Sequence, residues 1–339
     1  MLRREYYDEK DDDFEEEEIK EPPGRRRSIL GRILLFIIFL AVVLFCLYSV
    51  AVLKYISDVN TVETGERYEH GVQTMQDDDV RNILLIGTDT RSVSDKGRAD
   101  TVILLTINSR TKELYVTSFM RDSYVDVPGY GFTKLNASYR YGGAELLMDT
   151  LEVNFKVDID EYVYVNFDSF SKIVDAVGGI EITVTDAEAE GMKPPMAEQN
   201  DLLGNPRGTD YLSGGGTYTM NGNQALAYAR LRYVGNADFQ RTERQREVIR
   251  KIFEKAKDLS IGELDGFLSA CASSVTTNMS KKDMYLLSLR LLPLMKYDFN
   301  ELRIPCDDGY KGSMIDGQSV LEIDFDKNIE LIKDKVYGE

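Results

Sequence analysis

The chain has 339 residues, with 58 acidic side chains against 41 basic ones and a formal net charge of −17. Acidity on this scale excludes a general nucleic-acid or anionic-membrane surface, so any bound anion needs a local basic pocket. The one histidine, His70, lies outside the apolar-patterned stretches, which excludes Ser-His-Asp and Cys-His catalysis and histidine-rich zinc sites.

Residues 1–28, with the run DEKDDDFEEEEIKEPPGRRR, are too polar and too Pro-broken to bury a core and read as a disordered tail. Residues 29–53 read as a transmembrane helix. They are uncharged from position 33 to 53, and at about 1.5 Å rise per residue such a run spans a hydrocarbon core of roughly 30 Å. A cleaved signal peptide fits less well, because the run is long, begins late and has no convincing small-residue cleavage site. Arg25, Arg26, Arg27 and Arg32 precede it, and Lys54 stands almost alone after it. The positive-inside rule then places the tail in the cytoplasm and the remainder outside, as a single-pass protein of the cell membrane. Residues 54–80 are weakly patterned and read as a stalk. Residues 81–339 read as one extracellular domain.

Three apolar, β-rich runs open that domain, at residues 82–86, 101–107 and 114–120. Neither break between them contains a helical crossover, so the spacing predicts an antiparallel meander. The end of the first strand, the start of the second and the end of the third then share one edge. Asp89, Arg91, Arg98, Asp100, Arg121 and Asp122 are gathered there by connectivity. Further on, residues 142–154 and 168–177 have helical apolar spacing, and 161–167 and 180–184 have strand patterning. Residues 186–220, rich in Gly, Pro, Asn and Asp, read as a long excursion. Asn221 caps a short helix ending near Arg230, and a longer helix is expected from Asp238, as its N-cap, to about residue 259. The remainder supplies two or three more helices and strands near 302–305 and 320–324. Interleaved strands and helices favour a layered α/β domain. Cys271 and Cys306 could pair in an oxidising exterior or stand as two buried thiols; spacing leaves both open.

The charged residues suggest chemistry. Two aspartates flanking apolar strands, Asp89 and Asp100, could hold one hard divalent ion through oxygen, although each alone is an ordinary turn or cap residue. Arg241 and Arg244 head the buried stripe of their helix, with Gln245 and Val248 below. A first-turn cation opposes the macrodipole, a conflict that a bound anion or a local ion pair would relieve. Arg230 and Arg232, at i and i+2, point the same way in an extended segment. Guanidinium groups suit phosphate because their planar fork offers two parallel hydrogen bonds and keeps its charge when desolvated. Arginines facing carboxylates with a metal between them describe a pyrophosphate site.

The ordered series NILLIGTDTR, RADTVILLTIN, VTSFMRDSYVDVPGYG, KLNASYRYGG, VNFDSFSKIVDAVGGIEI, LSGGGTYTMNGNQALAYARLRY and DFQRTERQREVI resembles the LytR-CpsA-Psr family of cell-wall enzymes over residues 82–257. The resemblance implies a three-layer α/β/α sandwich with a mixed central sheet, holding a polyprenyl pyrophosphate in an apolar pocket outside a Gram-positive type membrane. The implied activity is phosphotransfer with Mg²⁺ (or Mn²⁺). An anionic glycopolymer such as teichoic acid or capsule moves from its undecaprenyl-pyrophosphate carrier to a peptidoglycan hydroxyl. Carried over by position, Asp89 and Asp100 resemble the metal ligands. Arg98, Arg121, Arg230, Arg232 and Arg241 resemble the pyrophosphate-binding arginines, with Gln240 and Arg244 as companions; Asp89, Asp100, Arg98 and Arg121 form the implied catalytic set. Apolar faces around Leu146, Leu147, Leu151, Phe170 and Val174 could line the lipid pocket or be plain core. A phosphatase using water as acceptor and a non-catalytic scaffold binding lipid-linked precursors remain the alternatives.

Overall fold

The computed structural model describes residues 29–88, 97, 99–232, 234 and 237–338, so the acidic tail lies outside the described residues. Helix α1 (Ile29–Asp58) opens it, and its Ile37–Asp58 portion is long and apolar enough to cross a membrane. Residues Ala51–Glu339 form one compact unit. Strand β1 (Asn60–Thr61) starts it after α1. The expected stalk that follows is laid against the domain: Arg67 pairs with Asp149 and Glu152, and His70 Nε2 lies 2.8 Å from Glu152.

The meander is present as β2 (Val80–Thr88), β3 (Ala99–Asn108) and β4 (Glu113–Phe119), each antiparallel to the next, with Leu84 opposite Leu104 and Leu104 opposite Thr117. The chain then makes a hairpin of β5 (Ser123–Val127) and β6 (Gly131–Lys134) and enters α2 (Leu135–Phe155). This helix starts earlier than its apolar spacing indicates and breaks at Gly142 and Gly143, where Gly143 takes φ 74°. Strand β7 (Glu161–Asn166) returns parallel to β2, and Asn166 caps α3 (Phe167–Ala176) by accepting from the Ser169 N–H.

After β8 (Ile180–Val184) the structure departs from the expected excursion. Residues Asp186–Leu203 form helix α4. Thr185 and Glu188 make a capping box that starts it. Pro194 and Pro195 remove two backbone donors, yet the helix persists because Ala189, Met192 and Met196 are buried against the domain. Strand β9 (Gly216–Met220) pairs with β8, and Asn221 caps α5 (Gly222–Arg230) as expected. A Cβ on Gly222 would lie 2.2 Å from the Ser171 carbonyl oxygen, so only glycine lets α5 approach α3 this closely.

Helix α6 (Ala237–Lys257) begins before Asp238, which therefore sits in its first turn and is not its N-cap. Then come α7 (Ile261–Ser274), β10 (Thr276–Thr277), α8 (Lys281–Leu289), α9 (Leu291–Leu294) and β11 (Asp298–Ile304). The hairpin β12 (Tyr310–Ile315) and β13 (Gln318–Ile323) and helix α10 (Phe325–Ile332) follow, before a last π-helical turn. Sequence patterning had not indicated β12, whose side chains are largely exposed. Cys271 and Cys306 are both free thiols.

The central sheet has seven strands in the order β1-β10-β7-β2-β3-β4-β11 and is mixed, as expected: parallel at β7–β2 and β4–β11, antiparallel through the meander. Its two faces bury different sets. Leu84, Ile86 and Leu104 meet Leu147, Leu151 and Phe155 of α2. Ile83, Ile107 and Leu114 meet Met279, Leu294 and partly buried Phe253, Met284 and Leu287 from the opposite side. A strand buried on both faces must be apolar at successive positions, which is why β2 reads NILLI rather than alternating. A second core joins α3, α4, α5 and α6 around Val174, Met192, Ala227 and Val248. Leu147 and Leu151 are fully buried, and truncating either to Ala would cost about 2–5 kcal/mol.

Candidate active site at the edge of the meander

The register of the meander delivers Asp100 at the start of β3 beside Arg121 just past the end of β4. Arg121 Nη1 lies 2.8 Å from Asp100 Oδ1. The other Asp100 oxygen is 3.2 Å from Arg232 Nη2. Arg121 Nη2 reaches Asp238 Oδ2 at 3.2 Å, and Asp238 Oδ1 is 3.2 Å from Arg241 Nη2. Asp122 joins from the other side, 3.4 Å from Arg121 Nε and 2.7 Å from Lys134 Nζ. Thus Asp100, Arg121, Arg232 and Arg241 come together as expected from three separate stretches of sequence. Asp89, Arg91 and Arg98 lie outside the described residues.

The cluster is incompletely satisfied. Arg241 is 2% exposed, yet among the described residues its Nε has no hydrogen-bond partner, and Asp238 Oδ1 meets it only through the 3.2 Å ion pair with Nη2. Burial and the neighbouring Arg121 charge pull the Arg241 guanidinium down to about 10, against the opposing pull of Asp238. It stays charged at neutral pH, but in poor company. For Arg121, burial acts downward, but the hydrogen bond to Asp100 and the charges of Asp238, Asp100 and Asp122 outweigh it and raise the pKa. Burial likewise opposes ionisation of Asp122, and Lys134 and Arg121 still hold its carboxyl below the usual range.

The remaining expected residues divide. Arg230 lies 4.5 Å over the Phe167 ring, pairs with Glu198 at 2.8 Å and lines a cavity. Arg244 is buried but turned away from the cluster. It bonds Glu188 Oε1 at 2.9 Å, donates to the Leu231 carbonyl at 3.1 Å and lies 3.3 Å from the Val234 carbonyl. It thereby links α6 to Glu188 of α4 and to carbonyls on either side of Arg232. Burial works against the Glu188 charge, but hydrogen bonds from Thr185 and Arg244 keep its carboxyl below the ordinary range. Gln240 is half-buried on the same helix, 3.5 Å from Arg244 Nη2.

The cavity, of about 210 Å³, is walled by Leu85, Ile103, Phe170, Ile173, Ala229 and Ile252. Thr101, next to Asp100 in β3, also lines it, and so does Arg230, so the chamber comes within one residue of Asp100 and two of Arg232 along the chain. Of the apolar residues left undecided between pocket and core, Phe170 lines the chamber, Leu146, Leu147 and Leu151 belong to the α2 core and Val174 to the second core.

Asp238 and Lys134 were not singled out from sequence as site residues, and Asp122 was placed at the shared strand edge without a role. The signal for Asp238 was the DFQR run itself, where the aspartate was assigned a capping role instead. For a metal, the donor set among the described residues fits a hard cation: it offers the carboxylate oxygens of Asp100, Asp122 and Asp238 and no imidazole or thiolate. The His70, Asp149 and Glu152 atoms also lie within 4.8 Å of one another, but Arg67 already binds both carboxylates there.

The model of the LytR_cpsA_psr family matches residues 49–335. A relative from Enterococcus faecalis, named polyisoprenyl-teichoic acid–peptidoglycan teichoic acid transferase TagU, is 36% identical over 234 residues, 68% of this chain and 71% of its own length. Among solved structures, TagT bound to LIIa-WTA superposes with a TM-score of 0.61 at 25% identity, covering 81% of this chain and 98% of that one. TagT with bound octaprenyl pyrophosphate lipid gives a TM-score of 0.59 at 24% identity over 80% and 100% of the two chains. At that last identity the likeness is one of fold.

Proposed function

This chain belongs to the LytR-CpsA-Psr family, and from that premise we propose that it transfers an anionic glycopolymer, teichoic acid or a similar wall polymer, from a polyprenyl-pyrophosphate carrier to a peptidoglycan hydroxyl. The observation that carries the reading is an apolar chamber with Arg230 in its wall, one residue along β3 from a cluster that holds an under-partnered buried arginine. A ligand with a hydrocarbon tail and a multiply charged head fits both halves at once. On this reading α1 crosses the membrane with its N-terminus inside, and the domain works on the outer face.

In the reaction the acceptor hydroxyl attacks the phosphorus that carries the sugar. A phosphoester bond forms to the acceptor, the bridging P–O–P bond breaks, and the lipid monophosphate leaves with the electron pair. Arg121, Arg232 and Arg241 offset the charge growing on that leaving phosphate. Arg230 and, outside the described residues, Arg98 would bind the remaining pyrophosphate oxygens. Asp238 holds Arg121 and Arg241 at a fixed spacing, because each of its oxygens faces one of them. Arg244 and Gln240 support from behind. Asp89 would accept the proton of the attacking hydroxyl. Mg²⁺ (or Mn²⁺), held by Asp89 and Asp100, would supply further charge neutralisation at the pyrophosphate.

The test uses the full chain in vesicles with Mg²⁺, a polyprenyl-pyrophosphate-linked saccharide and uncrosslinked peptidoglycan oligomers, with products read by mass spectrometry. The expected product is a phosphodiester-linked adduct that chelator and Arg121→Ala abolish. Release of phosphorylated saccharide without adduct would overturn transfer in favour of hydrolysis. Tight lipid binding without turnover would leave only a scaffold.

A further inference from the structure

The chain is acidic overall, but residues 281–296 (KKDMYLLSLRLLPLMK) reverse that sign. Lys281, Lys282, Arg290 and Lys296 stand against the single carboxylate of Asp283 in a protein of net charge −17. All four cations are exposed, and among the described residues none of them is in an ion pair. Between them the surface is apolar: Leu286, Leu289 and Leu291 are 45%, 40% and 38% exposed. These leucines lie apart from the inner face of α8, which other side chains already form. Met284 and Leu287 pack on the core cluster beneath the sheet. The α8–α9 segment thus has one apolar side for the domain and a second, partly exposed one, rimmed by cations.

Continuity of the chain indicates what covers it. Strand β10, four residues before α8, pairs in parallel with β1, which starts two positions after α1 ends. Asn60 Nδ2 donates to Thr276 Oγ1 at 2.9 Å, the Val62 N–H to the Thr277 carbonyl at 2.9 Å, and Tyr55 bonds Asp265 of α7. The basic segment is therefore tied to the last turn of the apolar helix. From Thr277 to Lys281 the chain can span no more than about 14 Å. Exposed leucines flanked by long cationic side chains suit the interface of an anionic leaflet, where the leucines enter the acyl boundary and the ammonium groups reach the headgroups. We infer that α8 and α9 rest on the anionic lipid surface beside the anchor, docking the domain on the bilayer. Helix α7 packs on α3, whose Phe170 and Ile173 line the chamber. Docking by the neighbouring α8–α9 face would bring that chamber close to the lipids, a consequence that rests on the transferase reading.

The chain contains no tryptophan, so one introduced indole reports alone. Leu289→Trp and, as a control, Met314→Trp on the 69%-exposed β12 position would be made in the full chain. Each would be reconstituted in vesicles of phosphatidylcholine with or without phosphatidylglycerol, part of the acyl chains being brominated. Docking predicts blue-shifted emission from Leu289→Trp, quenched by brominated chains and more so with phosphatidylglycerol, and solvent-like emission from Met314→Trp. Adding Lys281→Glu and Lys282→Glu should remove the phosphatidylglycerol dependence. Solvent-like, unquenched emission from Leu289→Trp would overturn the inference. So would a blue shift without bromine quenching, which would mean a protein contact instead. No donor or acceptor is needed, so the result stands whether or not transfer is found.

Discussion

Arg67 and Arg241 both turn a guanidinium inward among carboxylates, and burial acts on both in the same direction, yet their acidities move oppositely. Around Arg67, burial pulls the pKa down, but the hydrogen bonds and charges of Asp149 and Glu152 more than restore it. Its Nη1 also donates to the Ile159 carbonyl at 2.9 Å. Each carboxylate there has further partners: the Tyr68 N–H on Asp149 and the Ile159 N–H on Glu152. Around Arg241 the burial is deeper, the one paired carboxylate is shared with Arg121, and the charges of Arg121 and Arg232 act against those of Asp238 and Asp100. The first cluster is closed, as a group that fastens one segment to another must be. The second is short of negative charge, and a fold keeps such a deficit where a ligand makes it good.

If that distinction holds, the two clusters should fail differently. The largest expected effect is on the closed one. Arg67→Ala leaves Asp149 and Glu152 facing each other without their cation and should cost about 3–5 kcal/mol of stability, read from urea unfolding. Turnover per folded molecule should be unchanged; a fall in turnover at normal stability would erase the contrast. Next comes the open cluster. Arg121→Ala removes one donor to the leaving phosphate and should lower transfer about 10²–10³-fold. Its melting temperature should move far less than that of the Arg67 variant.

Arg241→Met sharpens the comparison further. Replacing a buried, under-partnered cation with an apolar chain of similar length should leave stability unchanged or raise it by up to about 2 kcal/mol. In the parent protein, inorganic pyrophosphate at a hundredfold its dissociation constant should add about 2.7 kcal/mol by mass action, and the variant should lose that gain. A strongly destabilised Arg241→Met protein would show that the cation is structural after all.

The sequence made the open cluster legible in part because β-strand connectivity is local information. The runs around Leu84, Leu104 and Val116 are separated by breaks too short for a crossover, and antiparallel pairing alone then puts Asp100 beside Arg121. Arg241 was legible from helical spacing, since it heads the stripe that ends in buried Val248. Asp238 was missed because a first-turn aspartate looks the same whether it caps a helix or bridges two arginines from elsewhere in the fold. Helix α4 was hidden by Pro194 and Pro195, although Thr185 and Glu188 spelled its capping box. Which leucines line the chamber was not readable either. Apolar periodicity marks a buried face and is silent on whether side chain or ligand fills the space opposite, so Phe170 and Leu147 look alike in sequence.

Arg244 lies between the two cases and gives the smallest effect. It is as buried as Arg241 and belongs to the same motif, but its partners are complete: Glu188 on one side and the carbonyls of residues 231 and 234 on the other. Glu188 is therefore read as a positioning residue, acting through Arg244 on the residues that flank Arg232, which faces Asp100. Glu188→Gln keeps the side-chain volume and one acceptor while replacing a charge-assisted hydrogen bond with a neutral one, a difference of about 1 kcal/mol. The variant should melt slightly earlier and transfer should slow by less than about tenfold, since Arg232 is loosened rather than removed. The pyrophosphate-induced stabilisation should survive, because Arg121 and Arg241 are untouched. Loss of that stabilisation in Glu188→Gln would place Arg244 with the open cluster and move the boundary between the two kinds of arginine.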